Sequence, residues 1–154
     1  MLADFRIRSA GSGDLDGLLD LYTHLIAEEV PCPADLARRV FTRFLAYPGI
    51  AILIGEIGGL IVTSCTVVVV PNLTRGGQSY ALVENVVTHS AHRNRGYGTL
   101  VLDAATDLAW REGCYKISLT TGSKRSETLN FYRGAGFDQL KTAFEKRRIA
   151  ARMG

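Results

Sequence analysis

Between Asp14 and Ile26 the apolar residues fall at Leu15, Leu18, Leu19, Tyr22, Leu25 and Ile26. Steps of three and four put them on one helical face, and Ser12 or Asp14 is placed to cap the start. A second helix is predicted from Pro33–Ala34, with Leu36, Val40, Phe44 and Leu45 as its apolar positions; Pro48 in "YPG" blocks its continuation. Elsewhere the period is two or the run is continuous. Phe5 to Arg8 alternates apolar and basic residues, which predicts a short strand. "IAILIGEIGGLIVTSCTVVVVP" carries two β-branched runs around Gly58-Gly59, the pattern of a hairpin with a two-residue turn. After the polar loop "NLTRGGQ", "SYALVENVVTH" predicts a strand from about Ser79 to Thr88. Helical spacing returns at Leu100, Val101, Ala104, Ala105, Leu108 and Ala109, with Gly113 as the stop. "YKISLTT" then reads as a strand, "SETLNFYRGAG" as a short helix, and "FDQLKTAFEKRR" as one or two closing strands.

The predicted order is β-α-α-β-β-β-α-β-α-β. That is an α/β (α+β) sandwich: a mixed central sheet of six to seven strands flanked by about four helices, largely antiparallel at first, with a crossover in the second half. A length of 154 residues favours one domain over 1–154. No repeat, linker or low-complexity segment interrupts it.

Composition narrows the partners. Hydrophobic residues make up 47% and charged residues 21%, enough apolar material for a core. A net charge of +3 is too small to argue for nucleic acid. The bases are uneven in kind, 14 of 18 being Arg, which suits bidentate contacts to an anionic ligand. Cys32, Cys65 and Cys114 are odd in number and far apart, with no metal-ligand spacing, so neither a disulfide framework nor a metal site is expected. The N-terminus has no apolar core of signal-peptide length, and no apolar run is long enough for a membrane span. A soluble cytoplasmic protein is expected.

The stretch "HRNRGYGTLVLDAA" places Arg93, Asn94, Arg95, Gly96, Tyr97, Gly98 and Thr99 between a predicted strand and a predicted helix. A helix N-terminus offers unpaired N–H groups and partial positive charge, so an anion is stabilised there. Gly96 and Gly98 allow close backbone approach, and Arg93 and Arg95 add charge. The loop has no Lys, so it is not a phosphate-binding loop of the GK[ST] type. It also lacks the last glycine of G-x-G-x-x-G, because Val101 stands there. Taken alone, it reads equally as a tight turn with solvated arginines.

The downstream segment sharpens this. Arg93-x-x-Gly96-x-Gly98 resembles the [QR]-x-x-G-x-[GA] signature of the GNAT superfamily of acyl-CoA-dependent N-acetyltransferases, and "FYRGAGF", Phe131 to Phe137, looks like its F-Y-x-x-x-G-F segment. The resemblance covers about Phe5 to Arg148 and is strongest over Val83 to Phe137. It implies a GNAT-like fold and an acetyl-CoA cosubstrate, with no metal. Backbone N–H groups of Arg93 to Thr99 would hold the diphosphate, and Val86, Val87 and Thr88 would pair with the pantetheine arm like an added strand. The family has a strand bulge beside that slot; nothing in the sequence marks one here. A small-molecule or peptide amine is the implied acceptor, and a homodimer is one option for assembly. The alternative is a non-catalytic acyl-CoA-binding regulatory module.

The chemistry asks for two proton-handling groups. An alkylamine with a pKa near ~10.4 is mostly protonated at neutral pH, so a base must take its proton, and an acid helps the thiolate leave. Glu84, alone in an apolar run, is the base candidate, or else a solvated residue or an acceptor contact. Strict alternation along the strand would put it on the face of Val86 and Thr88. Tyr132 matches the family tyrosine at the CoA sulfur, the acid; its other reading is a core aromatic. The family often has Asn seven residues before that tyrosine. Here Arg125 stands there, and with Lys124 it either reaches a CoA phosphate or is solvated. Cys65 and Cys114 read as buried small hydrophobes, so direct attack in a ternary complex is expected. His89 and His92 read as rim residues, with His89 a minor alternative base. Asp20, Glu28 and Glu29 on the early helices read as a charged face or as contacts to a cationic acceptor.

Overall fold

A computed structural model describes residues 4–26 and 30–151. Glu28 and Glu29, weighed above as acceptor contacts, lie outside the described residues. The chain divides into two units, residues 1–119 and 120–154.

The first unit is a sheet with helices. Its strands are β1 (Phe5–Ser9), β2 (Ile50–Ile57), β3 (Leu60–Val70), β4 (Tyr80–Thr88) and β5 (Ile117–Leu119), and its helices α1 (Leu15–Tyr22), α2 (Ala34–Ala46) and α3 (Tyr97–Arg111). The strands lie in sequence order, antiparallel from β1 to β4, and β5 joins β4 in parallel after the α3 crossover. Gly58 and Gly59, both at positive φ, make the predicted β2–β3 turn. The α1–α2 face of the sheet is packed by Leu18, Leu21, Phe41, Ile52, Ile54, Ile61 and Val87.

Two helices differ in detail from the pattern reading. α1 ends at Tyr22, short of Leu25 and Ile26. α2 buries Ala37 and Phe41, with Phe44 packed alongside, while Leu36, Val40 and Leu45 are exposed. The core row is therefore i, i+4, i+7 from Ala37, and the larger residues beside it point away. Asp14 sits at the N-cap of α1 without capping it. Its carboxylate takes both Arg8 nitrogens at 2.8 Å and the Gly11 N–H at 2.7 Å.

The second unit contains α4 (Ser126–Gly134). The one or two strands expected in "FDQLKTAFEKRR" are not formed, so the sheet has five strands rather than six to seven. The spacing explains this: Phe137, Leu140 and Phe144 fall at steps of three and four, which does not line one face of a strand. Leu140, Phe144 and Ile149 are exposed.

Candidate active site

The register of β3 against β4 breaks where the chemistry was expected. Thr66 faces Glu84 and Ser64 faces Val87, so Asn85 and Val86 together oppose Cys65. This is a β-bulge, and Asn85 carries it at φ 52. Asn tolerates the left-handed region better than most residues because its short amide bonds locally. The bulge resets alternation. Ser64 and Thr66 share a face, so Glu84 shares a face with Val87, not with Val86 and Thr88 as strict alternation predicts. Thr88 pairs with Thr63 on the opposite face, where their hydroxyls meet at 3.0 Å.

The same strand loses its other neighbour at this point. β5 pairs with β4 only through Ala81, Leu82 and Val83. From Glu84 to Thr88 the outer edge of β4 has no ladder partner among the described residues. Five residues of open edge span about 15 Å, room for a chain carrying two amides to add as a strand.

Glu84 is exposed at the head of this edge. Across from it is Thr66, whose hydroxyl is buried. Tyr22 of α1 is half-buried beside Thr66 and Ser64. Burial pushes the Tyr22 hydroxyl up from its ordinary range, and the two neighbouring hydroxyls pull it partly back. The β3–β4 register brings Thr66 to the Glu84 face and the packing of α1 on β3 brings Tyr22, and neither has a local sign in the sequence.

At the other end, β4 runs through a short turn, Ser90–His92, into the loop before α3. Asn94 (φ 62) and Gly96 (φ 86) are both left-handed, and Gly96 is the N-cap of α3. A Cβ at Gly96 would meet nothing within 4 Å, so its backbone angle, not crowding, calls for glycine. The first-turn N–H groups of Tyr97, Gly98 and Thr99 have no intrahelical acceptor, an arrangement that suits an anion. Tyr97 and Gly98 are buried, and Tyr97 stacks on Phe5 at 4.7 Å.

The two loop arginines differ. Arg95 is exposed and makes no ion pair among the described residues. Arg93 is tied down instead: its Nε donates to the Thr88 carbonyl at 3.1 Å and its guanidinium NH2 to the His24 carbonyl at 2.9 Å. The free guanidinium expected for an anion is therefore found at Arg95 and not at Arg93.

In the second unit, Arg125 is the N-cap of α4 and pairs with Glu127 at 3.4 Å. Tyr132 is half-buried on α4, its ring 5.1 Å from Phe131, and its carbonyl accepts from Ala135 and Phe137 N–H groups at the helix end. Cys65 and Cys114 are buried; burial pushes the Cys65 thiol up to about 12, which disables it as a nucleophile. Among the described residues no cluster of His, Cys, Asp or Glu has metal-binding form, and no helix is long and apolar enough to cross a membrane.

Residues 18–137 match the acetyltransferase (GNAT) family model. The chain belongs to the GNAT acetyltransferase family. This GNAT protein is 42% identical to a chain assigned as an acetyltransferase from Agrobacterium tumefaciens str. C58, with a TM-score of 0.90 over 93% of this chain and 99% of that one. A transcriptional regulator from Bacillus halodurans C-125 is 28% identical, with a TM-score of 0.85 over 93% and 99%. A glucosamine 6-phosphate N-acetyltransferase of Trypanosoma brucei brucei is 28% identical over 136 residues, 88% of this chain and 90% of the relative. Among the described residues this GNAT chain forms four α-helices and a five-stranded sheet.

Proposed function

We propose that this GNAT enzyme moves an acetyl group from acetyl-CoA to a primary amine on a small molecule, by direct attack in a ternary complex. The observation that carries this reading is the β4 edge, open from Glu84 to Thr88 and leading into the α3 N-terminus. Backbone N–H groups of Arg93 to Thr99 hold the diphosphate, with Arg95 adding charge. Val86, Val87 and Thr88 present their edge to the pantetheine amides. Bound acetyl-CoA supplies an acyl group activated as a thioester.

Glu84 takes a proton from the acceptor ammonium, directly or through water, and frees the nitrogen lone pair. The C–N bond forms, the C–S bond breaks, and the second amine proton passes to solvent. Tyr132 gives a proton to the departing CoA sulfur and is reprotonated from solvent. Tyr22 and Thr66, on the Glu84 face, contribute hydroxyls on the acceptor side. The relative from Trypanosoma brucei brucei makes glucosamine 6-phosphate the first acceptor to try.

The test is thiol release from acetyl-CoA across amino-sugar phosphates, aminoglycosides, polyamines, amino acids and peptide N-termini. Release above the hydrolysis rate with one class supports the reading and names the acceptor. A second reading, an acyl-CoA-binding regulatory module, draws on the similarity to the Bacillus halodurans regulator. Tight acetyl-CoA binding with no release for any amine would favour it.

A further inference from the structure

Three imidazoles from two parts of the chain gather where β4 hands over to the cofactor loop. His24, just past α1, lies tilted against His89 with ring centroids 4.0 Å apart, and His92 meets His89 edge-on at 5.3 Å. Two of these rings accept backbone hydrogen bonds in the turn: Ser90 N–H donates to His24 Nδ1 at 3.3 Å and Ala91 N–H to His89 Nδ1 at 3.1 Å. Arg93 closes the arrangement by donating to the His24 carbonyl and the Thr88 carbonyl.

We propose that His24, His89 and Arg93 are positioning residues for the cofactor loop, a clamp between α1 and the end of β4 that holds only while both imidazoles are neutral. The inference rests on the acetyl-CoA reading of the loop. Its reason is donor and acceptor arithmetic. A ring nitrogen that accepts an N–H bond has no proton; protonation turns it into a donor and leaves two N–H groups facing each other. Two imidazolium rings at 4.0 Å, with the Arg93 guanidinium adjacent, also repel. The charged and titratable groups around the pair are His92, Arg93 and Arg95 from the loop. Among the described residues no carboxylate forms an ion pair with any of the three imidazoles to offset the added charge.

The electrostatics agree with the geometry. Burial, then His89 and Arg93, hold His24 below the ordinary histidine range; burial, then His89 and Arg95, do the same for His92. A histidine with a depressed folded-state value favours the closed arrangement at high pH. That advantage fades as pH falls through the ordinary value near ~6.5. Opening frees Arg93, loosens the Ser90–His92 turn, and displaces the left-handed residues Asn94 and Gly96 that set up the cradle.

The experiment is calorimetric binding of dephospho-CoA from pH 7.5 to 5.5, with the variants His24→Asn and His89→Asn. Dephospho-CoA is chosen because the 3′-phosphate of CoA itself titrates near ~6. Wild type should lose affinity by roughly tenfold across this range. Either variant, whatever its affinity at pH 7.5, should flatten that dependence, because the Asn amide oxygen accepts the same N–H without titrating. In the wild type, the Ser90 amide resonance should titrate together with the His24 ring. Flat wild-type affinity, or a Ser90 amide that does not follow that ring, would overturn the clamp. No binding at pH 7.5 would instead overturn the acetyl-CoA reading.

Discussion

Glu84 stands directly across the β3–β4 ladder from Thr66, and it does so because Asn85 is bulged out beside it. That pairing keeps the only carboxylate of β4 on the α1–α2 face, at the point where β5 leaves the strand. The consequences can be measured.

Replacing the carboxylate should affect turnover more than cofactor binding. Glu84→Gln keeps the shape and removes the base. A positioned base contributes roughly 10²–10⁴ in rate, so kcat should fall at least about 100-fold. Dephospho-CoA affinity should hold within about twofold. A variant that keeps wild-type turnover would reduce Glu84 to an acceptor contact.

Tyr132→Phe removes the phenolic proton and leaves the ring packed on Phe131. Turnover should drop by about 10²-fold while acetyl-CoA binding changes little, as for a group needed only in the transition state. Equal losses in binding and stability, with kcat preserved, would make Tyr132 a packing residue.

The bulge predicts a contrast between two substitutions at one position. Asn85→Gly should be nearly neutral, because glycine adopts φ 52 freely. Asn85→Val should destabilise by about 1–3 kcal/mol, since a β-branched residue resists this region. Urea unfolding measures both. If the two variants unfold alike, the left-handed conformation at Asn85 is not required.

Acid should weaken the first unit through Asp14 and Glu56. Glu56 is buried and hydrogen-bonded by Arg6 and Arg8, and Asp14 takes the Arg8 fork. Arg8 chiefly, with the Gly11 N–H, holds Asp14 below the usual carboxylate range; Arg8 and then Arg6 do so for Glu56. Depressed folded-state values mean the stabilisation is complete above about pH 4–5 and is lost as pH falls through those values. Glu56→Gln should therefore cost about 1–3 kcal/mol at pH 7 and much less at pH 3. A gap from wild type that stays constant with pH would assign the loss to packing instead.

Local features were readable from the chain, and pairings across it were not. The Gly58-Gly59 hairpin, the α3 stripe and the turn into it depend on residues within one element of each other. The turn before α3 was legible for the same reason, since glycine spacing and a helix start are adjacent in sequence. The Asn85 bulge depends on a count against β3, and no residue type in "ALVENVVTH" reveals that count. His24 and His89 meet across 65 positions, so their contact has no local sign. Arg93 illustrates the limit: the motif gives its position, but its guanidinium is spent on two carbonyls that no local pattern announces. The closing segment was misread because apolar content was taken for strand content, although its spacing is three and four.

One extra residue in β4 makes parity, rather than residue type, decide which side of the sheet each half of the strand addresses. Deleting Asn85 would leave Glu84, Val87 and Thr88 unchanged as residues. It would force a choice: either Tyr80–Glu84 turn over, sending Glu84 to the α3 side and exposing Ala81 and Val83, or Val87 and Thr88 turn over and the loop behind them with its arginines. The donor and acceptor halves of the site thus share one frame, and a single-residue slip separates them without removing either.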